Sequence, residues 1–245
     1  MAQTKTNVNS VLDQLLQLYG PQKIVGPCDP YEMIVFVNCG YPATDVSCCK
    51  GFEALKREVG LRPENLIDAP KAKLAKLMRL GGIVPELRAE KLKEIAKMVK
   101  DQFGKDLLGA LKKCLLEEKK QPGKGVRAAK DVLQKFPVIG EPGAEKILLF
   151  SKLAPVAAVP SACVAVPMRL WFGDAGKNYA ADYRAAREVL NAGLPETVEA
   201  RQRAYLLLKK HGQEICKRSM PKCEICPVTG QCAYFQSKAA DINAE

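Results

Sequence analysis

"CKRSMPKCEICPVTGQC", residues 216–232, places four cysteines within seventeen residues near the end of the chain. Their spacing is Cys216-x6-Cys223-x2-Cys226-x5-Cys232, with no histidine between them. Thiolates at such short intervals suit a tetrahedral zinc or a four-iron cluster, and a pair of disulfides is the remaining way to use them. The rest of the chain weighs against disulfides. It has 245 residues, and its start, "MAQTKTNVNS", lacks the apolar core of a signal peptide. The other six cysteines (Cys28, Cys39, Cys48, Cys49, Cys114, Cys163) lie scattered in apolar stretches, where thiols pack as small hydrophobes. A reducing cytoplasm and one metal-binding loop are therefore expected.

Hydrophobic residues make up 47% of the chain and charged residues 27%, as in globular domains. No apolar run approaches the length of a membrane span, so no membrane partner is expected. Thirty-eight Lys and Arg against 27 acidic residues give a net charge of +11. That excess favours a polyanionic partner, nucleic acid first, because each phosphate contact releases counterions. A solvated surface that only aids solubility is the plainer alternative. Lys217, Arg218 and Lys222 sit between the first two cysteines, where they can face outward to phosphate.

Periodicity predicts an all-α protein of about ten helices. Residues 8–20 form an apolar helical face that stops at Gly20. Residues 29–40 are apolar and short enough for a strand, but Asp29 as N-cap and Pro30 in the first turn favour a buried helix. Amphipathic helices follow over 45–60, capped by Thr44 or Asp45, and over 70–82, 88–104 and 105–120. "QPGKGVR", 121–127, reads as a basic loop broken by Gly and Pro, before helices at 128–136, 144–153, 179–193 and 196–216. No internal repeat is evident.

"LQKFPVIGEPGAEKILLF", 133–150, resembles the helix-hairpin-helix, hydrophobic-Pro-Gly-x-Gly-x-x-x-Ala, whose backbone amides at a helix N-terminus grip a DNA phosphate. Pro137, Val138, Ile139, Gly140 and Gly143 are the candidate contacts, with Ala144 on the inner face and Val138 in place of the first glycine. Together with the cysteine loop, "YPATDVSCCKGFEAL" (41–55) and "RAYLLLKKHGQEIC" (203–216), this hairpin makes the chain resemble the HhH-GPD superfamily. The resemblance is to endonuclease III-like DNA glycosylases with an iron–sulfur loop. It spans about residues 10–236, with an insertion around 106–130, and leaves His211 to pack or cap.

The resemblance implies a two-lobed helical fold. Residues 1–25 and 150–245 would form one lobe, carrying a [4Fe–4S] cluster on Cys216, Cys223, Cys226 and Cys232. Residues 26–149 would form a six-helix barrel with the hairpin at about 131–150. Duplex, damaged or structured DNA would bind between the lobes of a monomeric, cytoplasmic, nucleoid-associated protein.

The resemblance also implies where chemistry should sit. Bifunctional members use a Lys just past the hairpin turn, whose amine attacks the sugar, and an Asp that supports the cationic transition state. Registering the hairpin puts the first position at Pro142. Registering "VPSACVAVPMRLWFG" puts the second at Pro160, with Ser161 following. Pro42 stands where members commonly have a Gln that fills the gap left by a flipped base. Lys146, Glu141 and Asp174 are the candidate substitutes; these charges, with Glu145 and Asp182, otherwise read as surface groups. The expectation is a DNA-binding protein without the usual glycosylase and lyase catalysis. The alternative is an active glycosylase with relocated catalytic residues or an unusual substrate.

Overall fold

The computed structural model describes residues 7–40 and 45–242, the side chains of residues 119 and 240–242 excepted. Thirteen α-helices and four 3-10 turns occur among the described residues, and no strand. The helices are α1 (Val8–Tyr19), α2 (Pro30–Gly40), α3 (Asp45–Glu58), α4 (Pro63–Asp68), α5 (Lys71–Met78), α6 (Pro85–Phe103), α7 (Leu107–Leu116), α8 (Lys124–Leu133), α9 (Glu141–Phe150), α10 (Ala165–Phe172), α11 (Tyr179–Gly193), α12 (Val198–Glu214) and α13 (Ala233–Ile242). The count exceeds the ten expected because the short helices α4 and α10, and α13 after the last cysteine, were not read as separate elements. None of the helices is long and apolar enough to cross a membrane. The chain divides into two compact units, Val25–Ala154, and Met1–Ile24 with Pro155–Glu245.

The Val25–Ala154 unit contains α2 to α9, two helices more than the six the resemblance implies. Asp29 starts α2 as expected: its carboxylate accepts from the Glu32 amide at 3.0 Å. Eight of the eleven α2 residues are buried, and the helix packs against α3, α6, α7 and α9. A segment apolar on every side must be covered on every side, which makes α2 the central helix of its unit. Thr44, the alternative cap for α3, lies outside the described residues, and Asp45 stands inside the first helical turn.

Residues 121–127 are not all loop. Gly123 turns the chain at φ +81°, and helix α8 begins at Lys124. The Glu118 carboxylate accepts from the amides of Gly123 and Val126, so it satisfies donors that otherwise have no partner at a helix start. Gly125, Ala129 and Leu133 form the buried stripe of α8, which packs against α7 and α9.

In the other unit, Asn7 caps α1 by accepting from the amides of Asn9 and Ser10. Gly20 ends that helix in a left-handed conformation, φ +65°. The core runs through Val11, Leu12, Leu15, Val166, Tyr183, Leu190 and Leu208. Buried Arg201 on α12 donates to Asn191 Oδ1 at 2.8 Å and to the Pro155 carbonyl, which fixes the chain where it re-enters this unit.

Candidate functional site

The four cysteines of residues 216–232 line one cavity with Arg169, His211 and Tyr234. Cys216 lies two residues past the end of α12, its amide bonded to the His211 carbonyl at 2.8 Å. Two 3-10 turns, Cys223–Ile225 and Thr229–Gln231, bend the loop so that the remaining thiols turn back to the same cavity. Among the described residues, no three His, Cys, Asp or Glu side chains are grouped as ligands of a single ion. Arg169 braces the loop: its guanidinium donates to the carbonyls of Lys217 and Arg218 at 2.8 and 2.7 Å. It also lies 3.7 Å from Cys216 Sγ and 5.1 Å from the centre of the Tyr234 ring. Lys217 and Arg218 thus have their backbone fixed, and both side chains are exposed.

Burial pushes the Cys226 thiol up to about 11, and neighbouring Cys216, Cys232 and Cys223 push the same way. Burial also raises Cys216, with Arg169 pulling against it. Thiolates crowded together repel, and a shared cation removes that repulsion. Four thiols lining one cavity are soft donors of the kind that suit iron or zinc. His211 is buried, and burial lowers its pKa to about 4, so the ring is neutral. Its Nδ1 pairs with the Tyr19 hydroxyl at 3.0 Å and its Nε2 lies 3.7 Å from Cys226 Sγ. As expected, it packs. Of the remaining cysteines, Cys39, Cys48 and Cys163 are buried as expected, Cys49 and Cys114 are half-buried, and Cys28 is exposed.

The hairpin joins α8 to α9 through Phe136–Gly140. Its left-handed residue is Val138, at φ +67°, and not Gly140, which is extended at φ −92° and caps α9. A Cβ at Gly140 would meet only Pro142 Cδ, at 3.9 Å. The tight turn expected at Gly140 is therefore at Val138. Lys130 bridges from α8 to α9, its ammonium 2.8 Å from both Glu141 Oε1 and Glu145 Oε1. Burial alone would lower the Lys130 pKa, but its bonds to Glu141 and Glu145 outweigh burial and raise it.

A second feature of this unit carries no motif in the sequence. Between α5 and α6, Leu80, Ile83 and Val84 are exposed, Ile83 by 70%, as is Leu87 in the first turn of α6. Val84 is left-handed at φ +51°. Buried Arg88 donates to the Ile83 carbonyl at 2.7 Å and to the Asn38 carbonyl at 2.7 Å, which fastens the tip to α2. A Cβ at Gly81 would lie 1.9 Å from the Cys39 carbonyl oxygen, so only glycine allows this approach. The signal available in the sequence was the apolar "LGGIVPEL" between two amphipathic helices.

No family model matches the chain. A protein of Methanocaldococcus jannaschii named "Putative DNA repair glycosylase" is 22% identical over 218 residues, covering 89% of this chain and 92% of that protein. Among solved structures, a non-covalent endonuclease III–DNA complex matches with a TM-score of 0.72 at 19% identity, covering 98% of this chain and all of the other. The chain has the endonuclease III fold. A trapped endonuclease III–DNA covalent intermediate matches equally well, and a thermostable thymine-DNA glycosylase matches with a TM-score of 0.68 over 96% of this chain.

Within this fold, Pro142 lies in the first turn of α9, in the Val25–Ala154 unit. Pro160 caps a 3-10 turn at Ser161–Cys163 in the other unit. Of the candidate substitutes, Glu141 is paired with Lys130, and exposed Asp174 lies 3.5 Å from Arg169 Nε. Lys146 is half-buried one turn beyond Pro142. Glu145 and Asp182 are not surface charges: both are buried. Pro42 lies outside the described residues.

Proposed function

We propose that this protein binds DNA, carries a [4Fe–4S] cluster on Cys216, Cys223, Cys226 and Cys232, and lacks the glycosylase and lyase chemistry usual for its fold. The observation that carries the reading is Pro142 in the first turn of α9. A Schiff base needs an amine there, and proline has neither an amine side chain nor a backbone N–H. Pro160 likewise offers no carboxylate to an oxocarbenium-like centre. The obvious acids are engaged elsewhere, Glu141 with Lys130 and Asp174 with Arg169.

DNA binding is supported by the fold shared with proteins solved on DNA, and by the +11 charge. Exposed Lys217, Arg218 and Lys222 and the α8–α9 hairpin at Pro137, Val138, Ile139, Gly140 and Gly143 would contact phosphates. The apolar tip at Ile83 suits insertion between base steps, as apolar wedges do in proteins that distort duplexes. A four-iron cube takes one thiolate per iron and fits sulfurs spread around a cavity, whereas one zinc needs all four at about 2.3 Å from a single point. The cluster's role in this reading is to hold the loop that presents Lys217 and Arg218; its four thiolate ligands supply the negative charge its irons require.

Assays of base release from duplexes containing uracil or thymine glycol test the reading. Binding without release is expected, and multiple turnover would contradict it. The protein should also hold about four irons per chain and absorb broadly near roughly 400 nm. One zinc per colourless chain would contradict the cluster assignment.

A further inference from the structure

Pro122-Gly123-Lys124-Gly125-Val126-Arg127-Ala128-Ala129 has the spacing Pro-Gly-x-Gly-x-x-x-Ala. It satisfies the hairpin pattern at the glycines more fully than Pro137–Ala144, where Val138 replaces the first one. The backbone repeats in part: α8 has already begun at Lys124, before Gly125, whereas α9 begins at Glu141, after Gly140. The residue after the proline is left-handed in both segments, Gly123 at φ +81° and Val138 at φ +67°. The alanine four positions after the second glycine has no exposed surface in either, at Ala129 and at Ala144. Helices α7 and α8 thus form a hairpin immediately before the α8–α9 hairpin and share α8 with it.

The two helices meet closely. A Cβ on Gly125 would lie 2.7 Å from the Glu118 amide nitrogen and 3.0 Å from the Cys114 carbonyl oxygen. The end of α7 is therefore pressed on the first turn of α8. Lys112 and Lys113 lie within two residues of Cys114, Lys124 and Arg127 lie within two of Gly125, and all four are exposed. None of the four has an ion-pair partner among the described residues, whereas Glu117 is paired with Lys120 at 2.9 Å. Glu118, the other acid here, is turned onto the amides of Gly123 and Val126. Its carboxylate fills the helix start, so only the long side chains remain to meet an anion.

We propose that the α7–α8 hairpin is a second contact for the phosphodiester backbone of duplex DNA, made by Lys112, Lys113, Lys124 and Arg127. The inference rests on the reading that the protein binds DNA, and adds a surface on α7 and the first turn of α8, at the other end of α8 from the Phe136–Gly140 turn. Four exposed cations carried by the two helices of one crossing can each pair with a phosphate. With the α8 amides closed by Glu118, the contact is made by side chains, carries no base readout, and depends on salt.

The test is the variant Lys112→Ala/Lys113→Ala/Lys124→Ala/Arg127→Ala, measured by fluorescence anisotropy on a duplex of about 25 base pairs across roughly 50–200 mM salt. The slope of log K against log salt should become shallower by about three to four, and affinity at about 100 mM salt should fall at least about 100-fold. A companion carrying Arg at the three lysines and Lys at 127 should bind like the parent, which separates charge from folding. Unchanged slope and affinity in a folded Ala variant would overturn the proposal. Failure of the unmodified protein to bind duplex DNA would instead overturn the DNA-binding reading, and this surface with it.

Discussion

At the α7–α8 turn the left-handed residue is Gly123, and a glutamate from the preceding helix closes the amides of the next. At the α8–α9 turn the left-handed residue is Val138, and Glu141 in the first turn of α9 is bonded to Lys130. The two turns share a spacing of proline, glycine and alanine, yet their second glycines serve different ends. Gly125 lets two backbones touch. At Gly140 a Cβ would meet only Pro142 Cδ, at 3.9 Å, so its missing side chain relieves no close approach. One motif spacing can therefore record a packing constraint in one place and none in another.

The largest expected effect breaks the second hairpin. Lys130→Met removes the ammonium that bonds buried Glu145 and ties α8 to α9. Breaking a buried ion pair from one side should cost about 3 kcal/mol, read as a lower urea midpoint. A change under about 0.5 kcal/mol would mean that the other contacts of Glu145 suffice.

Next is the crossing in the first hairpin. Gly125→Ala puts a Cβ against two backbone atoms, which cannot swing aside as a side chain could. A loss of about 2 kcal/mol is expected despite alanine's better helix propensity. Gly140→Ala should stay within about 0.5 kcal/mol of the parent. Equal costs at the two glycines would erase the contrast.

The smallest effect has the opposite sign. Val138 is β-branched and left-handed, a conformation that strains every L side chain with a Cβ. Val138→Gly should raise stability by about 0.5–1 kcal/mol, the relieved strain exceeding the entropy that glycine adds to the unfolded chain. A drop in melting temperature would show that packing of the Val138 side chain outweighs its strain.

Elements whose signals are local were legible in the sequence. Helix α1 ends at Gly20, α2 begins at Asp29, and the cysteine spacing marks the loop at 216–232 without help from the rest of the chain. The start of α8 was not legible, because Pro122, Gly123 and Gly125 read as breakers while the group that caps the helix, Glu118, comes from the preceding turn. The role of Arg169 has no local signal for the same reason: its carbonyl partners at Lys217 and Arg218 are 48 and 49 residues away. Glu145 and Asp182 read as surface charges because charged residues are seldom buried without partners, and Glu145's partner Lys130 lies 15 residues off on another helix. The apolar tip at Ile83 depends on Arg88 and on the approach of Gly81 to Cys39, neither of which has a sequence pattern.

The central claim is that DNA binding has outlived catalysis in this chain, and borohydride trapping on an abasic duplex tests it most directly. Iron-loaded protein is mixed with the duplex, and one half is resolved natively while the other is reduced with borohydride and resolved under denaturing conditions. The account predicts a shifted native complex and no covalent adduct, because position 142 offers no amine to form a Schiff base. A reduced adduct at the level of the native complex, abolished by Lys146→Ala, would contradict it and place the nucleophile one helical turn further along α9.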